Sequence, residues 1–232
     1  MGSQRVRVSV GYDLTPDVSF FAQISDARYF GSEATATGSG AAAVSTANGN
    51  FNGLDLHQGY IQLKNVLVPG LSLKAGRQEI IFGDHRLFGN FGWSQIGNAF
   101  DGVRMTHSTQ TADVDLFWAR IVDPFATAAS AAGQPAILFP AGSTATQSSN
   151  TQDIYGLYVT LKPVKNWTIE PYLFLLQDAR ASNAAAGGAP VSILTPQTPA
   201  QTRHFLGGRI NGKAGGLDFT YEGNYQFGSI DS

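Results

Sequence analysis

The chain contains no cysteine and few charged side chains. Without cysteine, its 232 residues cannot form disulfides, thiolate nucleophiles or cysteine-ligated zinc sites. Charged residues make up 14% of the chain, below the roughly 25% usual for soluble domains. The formal charge of −2 comes without any clustered Lys/Arg run, so no nucleic-acid partner is expected.

Long apolar runs are also absent. No stretch approaches the ~18 apolar residues that a membrane helix needs, so strands would have to carry out any membrane crossing. No apolar signal segment precedes the first patterned run, and Met1-Gly2-Ser3 is interpreted as a start placed before a mature segment.

Hydrophobic residues instead alternate with polar residues in ten strand-length runs. Residues 217–227 show this most clearly, with Leu217, Phe219 and Tyr221 on one parity and Asp218 and Thr220 on the other. The runs cover residues 4–13, 18–29, 55–65, 71–80, 99–107, 112–121, 153–162, 166–178, 203–212 and 216–227.

Connections between these runs alternate between short and long. Tight polar turns are predicted near residues 15–17, 68–70, 109–110, 165–166 and 214–215, and long loops over 31–53, 82–98, 122–151 and 179–202. Short turns on one side and long loops on the other are typical of outer-membrane barrels. We therefore predict an all-β, antiparallel up-and-down transmembrane β-barrel forming a single domain over residues 1–232. A soluble β-sandwich or β-barrel remains the alternative.

In such a barrel the apolar parity faces lipid and the other parity lines an aqueous lumen. A hairpin centred between Gln110 and Thr111 would bring Arg104 close to Asp115, a favourable charge pair. The residues predicted to face inward are the basic Arg5, Arg7, Lys64, Lys74, Arg104 and Arg209, the acidic Asp113, Asp115, Glu170, Asp218 and Glu222, and the amides Gln23, Gln58 and Gln62.

The predicted inward charges are unevenly distributed. The first four runs carry Arg5, Arg7, Lys64 and Lys74 with no clear inward acid, whereas later runs mix both signs. One basic wall would favour anionic solutes. The alternative is that these charges merely pair with one another and keep the lumen hydrated.

Three places break the alternation. At each place, a charged residue shares the parity of the apolar residues before it. The residues are Asp26 with Arg28, Arg77 with Glu79, and Arg120. Either they lie at the membrane interface, where a lipid-facing charge costs only ~0–1 kcal/mol, or a β-bulge turns them inward.

Chemistry for catalysis is not evident. His57, His85, His107 and His204 lack a metal-ligand spacing, so we expect no metal, no other cofactor and no enzymatic activity. A Ser25–His57 pair would need His57 on the inward parity, but the alternation places His57 on the apolar one.

Several segments carry a resemblance to a known family. The longest is residues 74–87, Lys74-Ala75-Gly76-Arg77-Gln78-Glu79-Ile80-Ile81-Phe82-Gly83-Asp84-His85-Arg86-Leu87. Together with residues 20–28, 56–61, 100–104 and 115–117, it resembles the alginate export family of outer-membrane barrels. These motifs span roughly residues 5–120.

The resemblance implies a monomeric barrel in a Gram-negative outer membrane, in contact with the lipid bilayer and lipopolysaccharide. It also implies passive export or diffusion of a polar solute, either an anionic saccharide such as a polyuronate or a smaller carboxylated compound. By motif position, Arg77, Gln78 and Arg86 belong to the family's strand-end and loop signature, and Asp26 and Arg28 to its second-strand signature. These five residues join the predicted lumen-lining set.

The chain departs from the family in extent, because members normally have one strand before Arg5 and several after Phe227. Ten strands would close only a narrow barrel, so the chain is either a small barrel or part of a wider one. A plugged structural or adhesive barrel whose long loops bind partners is the second functional hypothesis.

Overall fold

The computed structural model describes residues 3–29, 53–92, 97–122, 152–163, 166–178 and 201–230. Ten β-strands run through these residues. They are β1 (Ser3–Thr15), β2 (Val18–Tyr29), β3 (Gly53–Leu63), β4 (Leu71–Gln78), β5 (Phe100–Ser108), β6 (Ala112–Val122), β7 (Gln152–Leu161), β8 (Trp167–Asp178), β9 (Gln201–Ala214) and β10 (Leu217–Ile230).

The strands form one sheet in the order β1 to β10, so every strand neighbours the strand next to it in sequence. This confirms the predicted fold class, an all-β antiparallel up-and-down arrangement, and each strand overlaps one of the ten alternating runs. Most of the predicted long loops lie outside the described residues. Within the described ranges, no helix is long and apolar enough to cross a membrane.

Two compact units make up the chain. Among the described residues, the first unit extends to Val103 and the second begins at Arg104. Their boundary falls within β5. The prediction of a single domain stays a prediction.

Strand pairing in the first unit separates two faces. Val8 pairs with Ile24, and both side chains are exposed, at 62% and 43%. The next pair, Ser9 with Gln23, lies on the other face, where the two side chains are hydrogen-bonded. We call these the apolar face and the polar face, and the terms apply to each unit by itself.

A β-bulge interrupts the pairing of β2 with β3. Gln23 pairs with Gln58 and the next residue, Ile24, pairs with Leu56, which leaves His57 as the extra residue. A bulge of this kind changes which face the following side chains occupy. Leu54 and Leu56 are therefore exposed on the apolar face, as Ile61 is, although their parity differs from that of Ile61.

Short turns connect the strands at the opposite end from the predicted long loops. β9 and β10 are joined by Gly215 and Gly216, whose φ angles are +58° and +82°. Two positive φ values suit a two-residue hairpin whose twist matches its strands, and glycine adopts them without steric cost. In another turn, Asn65 has φ +53° and its side chain binds both Asp17 and the Gly70 N–H.

In the second unit, leucines are exposed and aromatic residues are buried. Leu116, Leu157 and Leu173 occupy paired positions on the apolar face and are 36–44% exposed. Tyr158 and Tyr172 pair on the opposite face and are 4% and 3% exposed. The apolar parity thus points away from the buried side of the sheet, the orientation predicted for a lipid-facing surface.

Candidate functional site

One carboxylate in the first unit receives three nitrogen donors. Arg7 Nη1 lies 3.1 Å from Glu79 Oε1, and His57 Nε2 lies 2.7 Å from the same oxygen. Asn90 Nδ2 donates to Glu79 Oε2 at 3.0 Å. We call Arg7, His57, Glu79 and Asn90 the Glu79 cluster.

Two irregularities of the chain bring His57 and Glu79 to this cluster. Arg7 extends from the polar face of regular β1, but His57 reaches that face through the bulge in β3. β4 ends at Gln78, so Glu79 leaves the alternation and reaches the polar face as well. The expectation that His57 faces lipid is therefore wrong, because the bulge shifts its parity.

A chain of side-chain amides supports the cluster from one side. Gln23 Nε2 donates to Ser9 Oγ at 2.8 Å, and Gln58 Nε2 donates to Gln23 Oε1 at 3.3 Å. Gln58 Oε1 in turn accepts the Glu79 N–H at 3.2 Å. Gln23 and Gln58 thereby connect three strands to the backbone of Glu79.

From the other side, the segment that follows β4 folds back onto the cluster. Asn98 donates its backbone N–H to the Asn90 carbonyl at 2.7 Å, and Phe88 stacks on Phe100 with ring centroids 4.7 Å apart. Gly97 has φ +73°, and a Cβ there would lie 2.9 Å from Arg7 Nη2 and 3.5 Å from His57 Cε1. Glycine is thus needed where the backbone passes over the cluster.

Glu79 lies beyond the end of its strand, and its carboxyl is stabilised in the ionised form. Burial raises the pKa of Glu79, but hydrogen bonds from His57 and Asn90 and the charge of Arg7 outweigh burial. The net pKa lies below the ordinary value for a glutamate. The cluster therefore holds a carboxylate anion at neutral pH.

Most of the predicted lumen residues of the first unit lie on the polar face. Arg5 pairs with Ala27 there, and Lys74 pairs with Gln62 and places its ammonium 4.3 Å from the centre of the Tyr60 ring. Gln78 is fully buried and donates to the Gly102 carbonyl at 3.3 Å. Lys64 follows β3 in the turn, where its N–H donates to the Asp17 carbonyl at 2.7 Å.

Other residues of the predicted set lie elsewhere. Asp26 pairs with Val6 and Leu54, which places it on the apolar face, and Arg77 pairs with Gly59 on that face. Their assignment to the lumen is corrected because no bulge shifts either position. Arg77 Nη1 lies 3.2 Å from Asp101 Oδ2. Arg86 is exposed and 3.9 Å from Asp84.

Arg28 belongs to β2, and its backbone pairs with Gln4. Its side chain lies outside the described part of the chain.

The expectation of a basic wall without acids is also corrected. Asp55 pairs with Ser25, which pairs with Arg7, so Asp55 lies on the polar face. Asp55 lies on the polar face because the bulge at His57 shifts its parity. Glu79 reaches this face because it follows the end of β4. Two carboxylates thus share this face with Arg5, Arg7 and Lys74.

Arg104 and Arg209, the two predicted basic lumen residues of the second unit, have carboxylate partners on their own face. Arg104 Nε lies 2.8 Å from Asp115 Oδ1, which confirms the pair predicted from the hairpin. Arg209 forms a buried ion pair with Glu170, and its neighbour across the other strand is Glu222.

Four aromatic rings fill the polar face beside these ion pairs. Tyr158 and Tyr172 stack with centroids 5.8 Å apart, and Phe174 stacks on Tyr172 at 5.0 Å. Phe117 meets Phe174 edge-on at 5.7 Å. All four are at most 5% exposed. We call Phe117, Tyr158, Tyr172 and Phe174 the aromatic cluster.

Arg120 stays on the apolar face of the second unit. It binds Asp153 on β7 through both carboxylate oxygens, at 2.9 and 3.2 Å, and lies 5.5 Å from the Trp118 ring. A paired guanidinium beside tryptophan near a strand end is the arrangement expected at a membrane interface.

The described residues do not bring together the parts of a hydrolase. Ser25 and His57 share the polar face, but among the described residues no hydrogen bond joins them, and His57 Nε2 is engaged by Glu79. A serine nucleophile needs a base within hydrogen-bonding reach. No group of three or more metal-ligating side chains occurs in the described ranges.

The sequence pattern did not identify His57 or Asn90 as functional residues. It also left open which face Glu79 occupies. One signal for His57 is present in the sequence, because Leu54 and Leu56 hold one parity while Ile61 and Leu63 hold the other. Such a change within a strand indicates a bulge between them. Asn90 comes from an irregular segment whose path no periodicity describes.

Comparison with known proteins gives one match. A family model described as alginate export matches residues 2–232, well beyond the motifs in the first half of the chain. A search of curated proteins found no match.

Proposed function

The chain belongs to the alginate export family, and from this we propose that it is a passive outer-membrane channel for a polar, anionic solute. The family is one of transport proteins rather than enzymes. We infer that the protein resides in the outer membrane of a Gram-negative bacterium as a monomer. There its apolar face would contact the bilayer and lipopolysaccharide, and its polar face would line the passage. The solute class is an alginate-like polyuronate or a smaller carboxylated compound.

The observation that carries this proposal is the polar face of the first unit. Arg5 and Lys74 lie on this face together with Arg7, and Arg7 binds a carboxylate there. Side chains that already coordinate a carboxylate and stand beside further cations suit the passage of carboxylated solutes.

Reconstitution in a planar lipid bilayer tests the proposal. We expect stable conductance steps with a preference for anions, and Lys74→Gln should lower the anion-to-cation permeability ratio because it removes a charge from the polar face. Arg77→Gln is the matched control, since it removes one charge from the opposite face of the same strand. Folded protein without conductance, or equal effects of both variants, would contradict the proposal.

A second candidate is a plugged structural or adhesive barrel whose loops bind partners. The aromatic cluster favours it, because four stacked rings with at most 5% exposure leave little room for water on that part of the face. Such a barrel would fold in detergent and show no conductance steps in the planar bilayer.

A further inference from the structure

We propose that Arg7, His57 and Asn90 form a carboxylate-binding cradle that Glu79 occupies from within the chain, and that the carboxylate of a uronate ligand displaces Glu79. The idea rests on the proposed function, since it specifies how that channel would bind its solute. It assigns Glu79 the role of an internal substitute ligand.

The donors of the cradle are those that recognise a carboxylate. A guanidinium, an imidazole and a primary amide supply N–H groups at 2.7–3.1 Å from the two Glu79 oxygens. Carboxylates accept several such hydrogen bonds, and those from charged donors are the strongest. A uronate carboxylate presents the same two oxygens and the same charge as Glu79.

The donors are held in place by contacts that do not involve the Glu79 carboxylate. Arg7 belongs to regular β1, His57 is fixed by the bulge of β3, and the Asn90 carbonyl is bound by the Asn98 N–H. The Glu79 N–H is anchored to Gln58, so its side chain can rotate away while its backbone stays. The cradle therefore persists when Glu79 leaves.

Solvent has access to the two charged members of the cluster. The side chains of Arg7 and Glu79 are 22% and 16% exposed. Exchange of one carboxylate for another also keeps an anion beside the Arg7 guanidinium.

Asn90 adds a place for a sugar hydroxyl. Its Nδ2 binds Glu79, while its buried Oδ1 has no hydrogen-bond partner within the described segments. A hydroxyl of the ligand could donate to this oxygen, which a simple carboxylate would leave unsatisfied.

Calorimetric titration of the detergent-solubilised protein with trigalacturonate tests the inference. If Glu79 fills the cradle about nine-tenths of the time, the apparent dissociation constant is about tenfold above the intrinsic one. Glu79→Ala and Glu79→Gln should therefore bind trigalacturonate up to about tenfold more tightly than the unaltered chain. Adding Arg7→Gln should abolish that gain.

Two controls separate the cradle from a general charge effect. Asp101→Asn removes a carboxylate of the same unit that is paired on the apolar face with Arg77, and it should leave the affinity unchanged. The fully methyl-esterified form of trigalacturonate has no carboxylates, so Glu79→Ala should not increase its affinity for the protein.

The outcomes distinguish this inference from the proposed function. If Glu79 only stabilises the fold, its variants lose stability with no gain in affinity, and the inference is overturned whether or not the protein conducts. A gain in affinity in a protein that shows no conductance supports the cradle while refuting the channel.

Discussion

The polar faces of the two units are filled in different ways. In the first unit, three donors converge on the single carboxylate of Glu79, and amides link that site to neighbouring strands. In the second unit, Arg104 and Arg209 each have a carboxylate partner, and stacked rings cover the strands beside them. Strand alternation determines which face a residue occupies. The types of residue on that face determine whether its charged groups can bind solutes or are covered by packed rings.

The difference has a packing cause. Inward positions of the first unit include Ser9, Gln23 and Gln58, whose polar ends need hydrogen bonds and so form a network. Inward positions of the second unit place rings beside glycines, and a Cβ at Gly207 would lie 2.6 Å from the Tyr172 ring. The missing side chain leaves room for a ring to lie flat on the sheet.

The largest effect is expected from breaking the buried ion pair of the second unit. Arg209→Gln leaves Glu170 buried without its cation, a change that typically costs about 3–5 kcal/mol. Lys213→Gln is the control, because its pair with Asp218 is 65% and 70% exposed and such pairs contribute about 0–1 kcal/mol. Urea unfolding in detergent measures both. Equal losses would show that Glu170 and Arg209 are not buried as described.

A smaller effect is expected from filling space among the rings. The Cβ of Gly156→Ala would overlap Phe117 and lie 2.8 Å from Phe174, and both rings are buried and cannot retreat. Overpacking of this kind costs about 1–3 kcal/mol.

Gly11→Ala is the matched change on the polar face of the first unit, where the nearest atom to the added Cβ is 3.9 Å away. It should alter the free energy of unfolding by less than Gly156→Ala. If the two variants behave alike, the contrast between a packed and an open face is lost.

The smallest expected effect is the pH dependence of the stability that Glu79 contributes to the first unit. Because the pKa of Glu79 is lower in the folded protein than in the unfolded chain, its contribution is present above the unfolded value and is lost as pH falls through the folded value. The stability difference between the unaltered chain and Glu79→Gln should therefore shrink below about pH 4.3, by on the order of 1 kcal/mol.

The measurement is unfolding as a function of pH, repeated in a His57→Gln background. His57 and Arg7 face Glu79 directly, and the background variant removes the titration of the imidazole. A difference that stays constant with pH would mean that the Glu79 carboxyl makes no ionised contacts.

Much of the fold could be predicted from the sequence because period-two alternation reflects the pleat itself. Each of the ten strands and the Arg104–Asp115 pair followed from that pattern and from short turns. The site was harder to predict. Its members His57 and Glu79 stand where alternation fails, at a bulge and past a strand end.

The aromatic cluster could not be predicted from alternation for a different reason. The pattern separates Tyr158, Tyr172 and Phe174 from the leucines, but it does not tell whether rings on the polar parity project into water or stack on one another. That depends on which residues of adjacent strands are paired, such as Gly156 with Phe174 and Tyr158 with Tyr172. Phe117 pairs with Gly156 across the predicted long loop over residues 122–151, and the register across such a connection is not fixed by the local sequence.

The Glu79 cluster draws its members from positions 7, 57, 79 and 90, which are distant along the chain. They meet only after β1 has joined β2, β2 has joined β3, and β3 has joined β4. Before these strands pair, the four side chains lie apart, so the proposed cradle can exist only once β1 to β4 have assembled into a sheet.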